Sequence, residues 1–125
     1  MAVELNHTIV WCHDNKASSA FLADLLDRPP PAPFLHFMVV ALDNGASLDF
    51  MEKQGPVALQ HYAFLVDDRI FDRALARLEA QGLPWWADPA RTQPGKINTH
   101  DGGRGFYFED PNGHLLELIT RPYGG

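Results

Sequence analysis

The order of features between residues 6 and 50 recurs between residues 60 and 118, and an internal repeat constrains a fold more firmly than composition does. The first copy opens on Asn6-His7-Thr8-Ile9-Val10, passes a polar turn into a helical segment from Lys16 to Leu26, and ends in Val40-Ala41-Leu42-Asp43-Asn44-Gly45-Ala46-Ser47-Leu48-Asp49-Phe50. The second opens on Gln60-His61-Tyr62-Ala63-Phe64, passes Asp67-Asp68 into a helical segment from Arg69 to Gln81, and ends in Phe108-Glu109-Asp110-Pro111-Asn112-Gly113-His114-Leu115-Leu116-Glu117-Leu118. Asn-Gly between apolar runs is a hairpin signal, because both residues tolerate positive φ. In each copy a carboxylate, Asp49 or Glu117, stands four residues after that glycine.

Periodicity fills in the elements. Side chains alternate along a strand, so within residues 4–12 Leu5, His7, Ile9 and Trp11 share one face. Phe21, Leu22, Leu25 and Leu26 form an apolar stripe on the first helix; Ile70, Phe71, Ala74, Leu75 and Leu78 do so on the second. Asp67 or Asp68 caps the second helix, and Gly82 with Pro84 stops it. Pro29-Pro30-Pro31 forbids helix and marks a connection or ragged edge. Residues 34–42, 46–52, 58–66, 96–100, 104–109 and 113–120 read as strands. Strand, helix, strands, twice over, is an α+β domain with a mostly antiparallel sheet. Pro84 to Gly103 is the least regular stretch and reads as a surface loop or one that closes over a pocket.

The 125 residues fit one domain with a self-sufficient core. Ten Lys and Arg against sixteen Asp and Glu give a net charge of −6, with no general attraction to nucleic acid or anionic membrane. No apolar run is long enough to span a bilayer, no secretory leader is visible, and the single Cys12 builds neither a disulfide nor a cysteine-rich zinc site. A cytoplasmic protein is the expectation.

Chemistry gathers on the repeat. His7 and His61 stand mid-strand at matching positions with apolar neighbours on their own face, and Glu117 is flanked by Leu115 and Ile119 on its own. Buried polar groups need partners, and an inward carboxylate needs a cation or donors. One divalent ion satisfies all three at once, and two His with one carboxylate on one side of an ion leave positions open for water and substrate. The alternative is three separately hydrogen-bonded side chains on a solvated sheet face. Asp49, the repeat partner of Glu117, is a fourth ligand or stands behind the ligands. His13, His36 and His114 read as surface histidines, and Cys12 as a small core or surface thiol. Neither a nucleophile elbow nor a glycine-rich phosphate loop is present.

Asn6-His7, His61-Tyr62-Ala63-Phe64 and the phrase from Gly105 to Glu117 resemble the vicinal oxygen chelate superfamily, which contains glyoxalase I, extradiol dioxygenases, fosfomycin-resistance thiol transferases and bleomycin-binding proteins. The resemblance implies a glyoxalase-like fold over residues 1–125: two βαβββ modules, 1–55 and 56–125, forming a curled, mostly antiparallel sheet. It implies a divalent transition metal (Fe, Mn, Ni or Zn) held by His7, His61 and Glu117, and a homodimer acting on a small-molecule substrate. Asp49 falls where glyoxalase I has a fourth ligand, a Glu, and Tyr107 matches an active-site Tyr of the fosfomycin-resistance enzymes. The implied function is a metal-dependent enzyme of glyoxalase, thiol-transferase or dioxygenase type, with Asp49 and Tyr107 as acid–base candidates. His100, Arg104 and Trp85 are candidates for substrate contact, Arg104 or Lys96 for an anionic group. The other class of function is a non-catalytic, bleomycin-resistance-like protein that stacks a drug on Trp85, Trp86 and Tyr107.

Overall fold

A computed structural model describes residues 2–123. Its elements in chain order are β1 (His7–Cys12), α1 (Asn15–Leu25), β2 (Ala32–Phe34), β3 (Phe37–Ala41), β4 (Ser47–Glu52), β5 (His61–Leu65), α2 (Asp68–Ala80), β6 (Trp85–Trp86), β7 (Gly105–Glu109) and β8 (Leu115–Ile119), with a 3₁₀ turn at His100–Gly102. They form two compact units, one up to Ala58 and one from Leu59. Each is a βαβββ module with one helix and one four-stranded mixed sheet.

The repeat is exact in topology. Strand order is β1-β4-β3-β2 in the first unit and β5-β8-β7-β6 in the second. In both, the first and last strands run parallel and the other pairs antiparallel. The register repeats as well. His7 lies opposite Ser47, two residues before Asp49, and His61 lies opposite Leu115, two residues before Glu117. The Asn-Gly signals hold, with Gly45 at φ +86° and Gly113 at φ +97°, values a β-carbon disfavours.

Local chemistry starts each helix. The Asp14 carboxylate accepts from the Ala17 amide at 3.0 Å and Asp67 from the Ile70 amide at 2.8 Å, each filling an orphan donor of the first turn. In unit one Val10, Cys12, Val40, Leu48 and Phe50 are buried with Leu22 and Leu25 of α1 and Leu26 at its C-cap; Phe21 is only half-buried, and Ser18 and Ser19 are buried instead. In unit two Phe64, Phe106, Phe108, Leu116 and Leu118 are buried with Phe71, Ala74 and Leu78 of α2. Phe71 meets Phe106 edge-on at 5.0 Å. Each such aromatic contributes about 1.5–3 kcal/mol by leaving water. In each sheet the residues of opposite parity, His7/Ile9/Trp11 and His61/Ala63/Leu65, are exposed.

Several expectations are corrected. Residues 96–100 form no strand; only an isolated bridge joins Asn98 to Gly105. The run from 34 to 42 is broken at Leu35, at φ +54°, and Phe34 ends a separate strand, β2. A short strand, β6, lies inside the stretch expected to be loop. His114 is fully buried rather than on the surface, and its Nδ1 accepts from the Gln60 amide at 3.0 Å. Among the described residues no helix is long and apolar enough to cross a membrane.

Candidate functional site

Strand register builds the site in unit two. Ala63, Glu117, Tyr107 and Trp86 are cross-strand neighbours in one row. Alternation places that row on the sheet face opposite Phe64, Phe106 and Phe108, hence away from the aromatic core. His61 is diagonal to Glu117, within reach of a long side chain across a parallel pair.

His61 Nδ1 lies 2.9 Å from the Leu115 carbonyl, which only accepts, so Nδ1 carries the ring proton. Nε2 faces Glu117 Oε1 at 3.2 Å. Glu117 is only 2 % exposed. The Tyr123 hydroxyl, 2.8 Å from both carboxylate oxygens, donates to it, the Tyr107 hydroxyl hydrogen-bonds to it as well, and no Lys or Arg among the described residues pairs with it. An imidazole nitrogen facing a buried carboxylate is satisfied by a proton on the ring or by a metal ion held between the two groups. Two adjacent ligands, each about 2.1 Å from one ion at angles between octahedral and tetrahedral, stand about 3.0–3.4 Å apart. The observed spacing fits, and the ring proton given to a backbone carbonyl is the arrangement that orients metal-binding histidines. Among the described residues no third His, Cys, Asp or Glu completes a cluster around the pair.

Tyr107 completes the wall. Its ring stacks on His61 at 6.0 Å between centroids. Burial first, then the hydrogen bond with Tyr123 and the charge of Glu117, push its phenol above the ordinary 10.0. The hydrogen bond to Glu117 does the same for Tyr123. Tyr107 also lines a cavity of about 290 Å³ together with His100, Asn98, Ile97 and Ala87. Asn98 holds the far wall by donating from Nδ2 to the Ala87 carbonyl at 2.8 Å.

The structure therefore brings together His61, Glu117, Tyr107 and, through the cavity, His100. His7 and Asp49 belong to the other unit. His7 is exposed, its Nδ1 2.7 Å from Asn6 Oδ1, and Asp49 accepts from Ser47 Oγ at 3.1 Å. Trp85 lies in register with Phe108, on the core-side parity, so Trp86 rather than Trp85 shares the row of Tyr107. Arg104 is engaged elsewhere: its guanidinium pairs with Asp68 at 2.9 Å and Asp72 at 2.8 Å and lies over Phe71 at 4.2 Å. Tyr123 is the contact that sequence reasoning missed, because a residue beyond the last strand has no periodic partner to mark it.

Residues 4–118 match the family model of the glyoxalase/bleomycin resistance protein/dioxygenase superfamily. The structure of "Oxidase ChaP-H1" is 60% identical, with a TM-score of 0.96, over 99% of this chain and 100% of that one. "Oxidase ChaP-H2" is 53% identical with a TM-score of 0.96, over 100% and 98%. A glutathione transferase, FosA of Serratia marcescens, is 41% identical over 58 residues, which span 46% of this chain and only 34% of that relative. The fosfomycin resistance protein FosX from Mesorhizobium loti, at 23% identity over 98% and 96% and a TM-score of 0.69, shares the fold.

Proposed function

The chain belongs to the glyoxalase/bleomycin resistance protein/dioxygenase superfamily, and from that membership we propose that it is a divalent-metal enzyme that oxidises a small substrate presenting two neighbouring oxygens. The observation that carries the metal is His61 Nε2 facing the buried Glu117 carboxylate at 3.2 Å, the separation of two ligands on one ion. The full-length likeness to two proteins named oxidases favours oxidation over the isomerase and transferase chemistries of other relatives.

In this reading His61 and Glu117 are two of the ligands, and His7, at the matching position of the repeat, is the candidate that the family resemblance implies for a third. When bound, a metal of this donor set supplies Lewis-acid stabilisation to substrate oxygens and, as Fe(II), access to dioxygen chemistry. The residues of the chain do the rest. The Tyr107 hydroxyl stays protonated at neutral pH and hydrogen-bonds to Tyr123 and Glu117, so it is the candidate donor to a substrate oxygen that displaces one of those partners. His100 faces the same cavity and is the candidate to accept a substrate proton, and Asp49 is the candidate from the other unit. The cavity lining carries no Lys or Arg and Arg104 is committed to two aspartates, so the substrate is read as one without a strong anionic group. The assembly is read as a homodimer.

The test is oxygen uptake. Metal-free protein is loaded anaerobically with Fe(II), Mn(II), Ni(II) or Zn(II) in turn and mixed with a catechol or 2,3-dihydroxynaphthalene. Uptake that depends on metal and disappears in His61→Ala and Glu117→Gln is expected. Stoichiometric metal without uptake would overturn the oxidase assignment alone. Tryptophan quenching by an aromatic ligand with no metal bound would return the drug-binding reading.

A further inference from the structure

The segment after β8 folds back over the site. Its start is tied to β7: the Thr120 amide donates to the Arg104 carbonyl at 3.0 Å and the Arg104 amide donates to Thr120 Oγ1 at 2.8 Å. Tyr123 then places its hydroxyl 2.8 Å from both Oε1 and Oε2 of Glu117. A donor equidistant from the two oxygens sits on the bisector of the carboxylate, in the sector of lone pairs that a cation also uses. The Tyr123 side chain is 64% exposed while Glu117 is 2% exposed, so the phenol is the outermost group over a buried charge.

Resting on the reading of His61 and Glu117 as metal ligands, we propose that Tyr123 is a latch on the metal-binding carboxylate. In the metal-free protein its hydroxyl donates to Glu117 alongside that of Tyr107. For an ion to bind, the hydroxyl must release Oε1, the oxygen that faces His61. The proton of the hydroxyl and the incoming cation repel each other at that oxygen, so latch and ion compete. Metal entry is thereby coupled to opening of residues 120–123. Tyr123 acts through Glu117 and is a positioning residue.

The experiment titrates metal-free protein with Mn(II) by calorimetry, comparing wild type, Tyr123→Phe and Tyr123→Ala. A charge-assisted hydrogen bond given up on binding corresponds to about a tenfold change in Kd. Tyr123→Phe keeps the ring and is expected to bind Mn(II) about tenfold more tightly, with Tyr123→Ala moving in the same direction. Hydrogen–deuterium exchange of residues 120–123 in the wild type should rise when Mn(II) is added. Unchanged or weaker affinity in both variants, with the wild type binding Mn(II), would overturn the latch and leave the metal site standing. No Mn(II) bound by wild type, Tyr123→Phe or Tyr123→Ala would overturn both.

Discussion

Replacing Glu117 by Gln should stabilise the metal-free protein and abolish its stabilisation by metal. The carboxylate is 2% exposed, faces His61 Nε2 at 3.2 Å, and accepts hydrogen bonds from neutral phenols. A buried charge without an opposite charge costs on the order of 3–5 kcal/mol. The amide removes that cost, and its NH₂ can donate to the neutral His61 Nε2. Against this, the hydrogen bond from Tyr123 loses its charge assistance, a loss of about 1–2 kcal/mol. The balance is a gain of about 2 kcal/mol, which at this chain length raises Tm by roughly 6–10 °C. Urea unfolding in EDTA, followed by tryptophan fluorescence, measures it. With Mn(II) at a hundred times its Kd the wild type gains about 2.7 kcal/mol and the variant gains nothing, so the stability order inverts. A Gln variant less stable than wild type in EDTA would refute the reasoning, because it would make Glu117 a structural acceptor rather than a site held at a cost.

Arg104→Ala should destabilise by about 1–2 kcal/mol, through loss of partly exposed ion pairs to Asp68 and Asp72 and of contact with Phe71, and leave Mn(II) affinity unchanged; a shift in affinity would tie Arg104 to the site after all. All three tyrosines have phenols held above the usual 10.0, Tyr62 and Tyr107 chiefly by burial and Tyr123 chiefly by its bond to Glu117. Their raised pKa values leave stability intact below pH 10 and erode it above, where the unfolded chain releases phenol protons first. Absorbance at 295 nm should therefore show little tyrosinate at pH 10 in the native protein and a jump on unfolding; normal native titration would contradict the buried cluster. Gly105→Ala should cost roughly 1–3 kcal/mol, since its β-carbon would meet Asn98 Oδ1 at 2.9 Å and disturb the brace to Ala87. Urea unfolding checks this, and a neutral outcome would mean that the loop wall yields.

Much of the fold was legible because it is written in short-range terms. Asp67, the Asn-Gly turns and the stripe of Phe71, Ala74 and Leu78 act within a few residues of themselves, and each does what its spacing predicts. The repeat carried further: the carboxylate four residues after each Asn-Gly turn, Asp49 or Glu117, stands two residues past the strand partner of His7 or His61 in both sheets. Where prediction failed, neighbours in space overrode neighbours in sequence. Residues 96–100 have strand-like composition but a single bridge partner. His114 read as a surface histidine opening the last strand, but its ring is buried and partnered by the Gln60 amide.

The site divides in the same way. Residue type and phase singled out His61 and Glu117, because an imidazole and a carboxylate among apolar neighbours call for a shared partner wherever the chain puts them. Sequence could not decide which other side chains would stand beside them, since that depends on strand order and on which cross-strand row a residue joins. Strand pairing moved Trp86 rather than Trp85 into the row of Tyr107. Packing against α2 took Arg104 for Asp68 and Asp72. The return of the segment after β8 set Tyr123 on Glu117. Those are contacts made across the sheet or around its edge, and their energies exist only once the strands have paired.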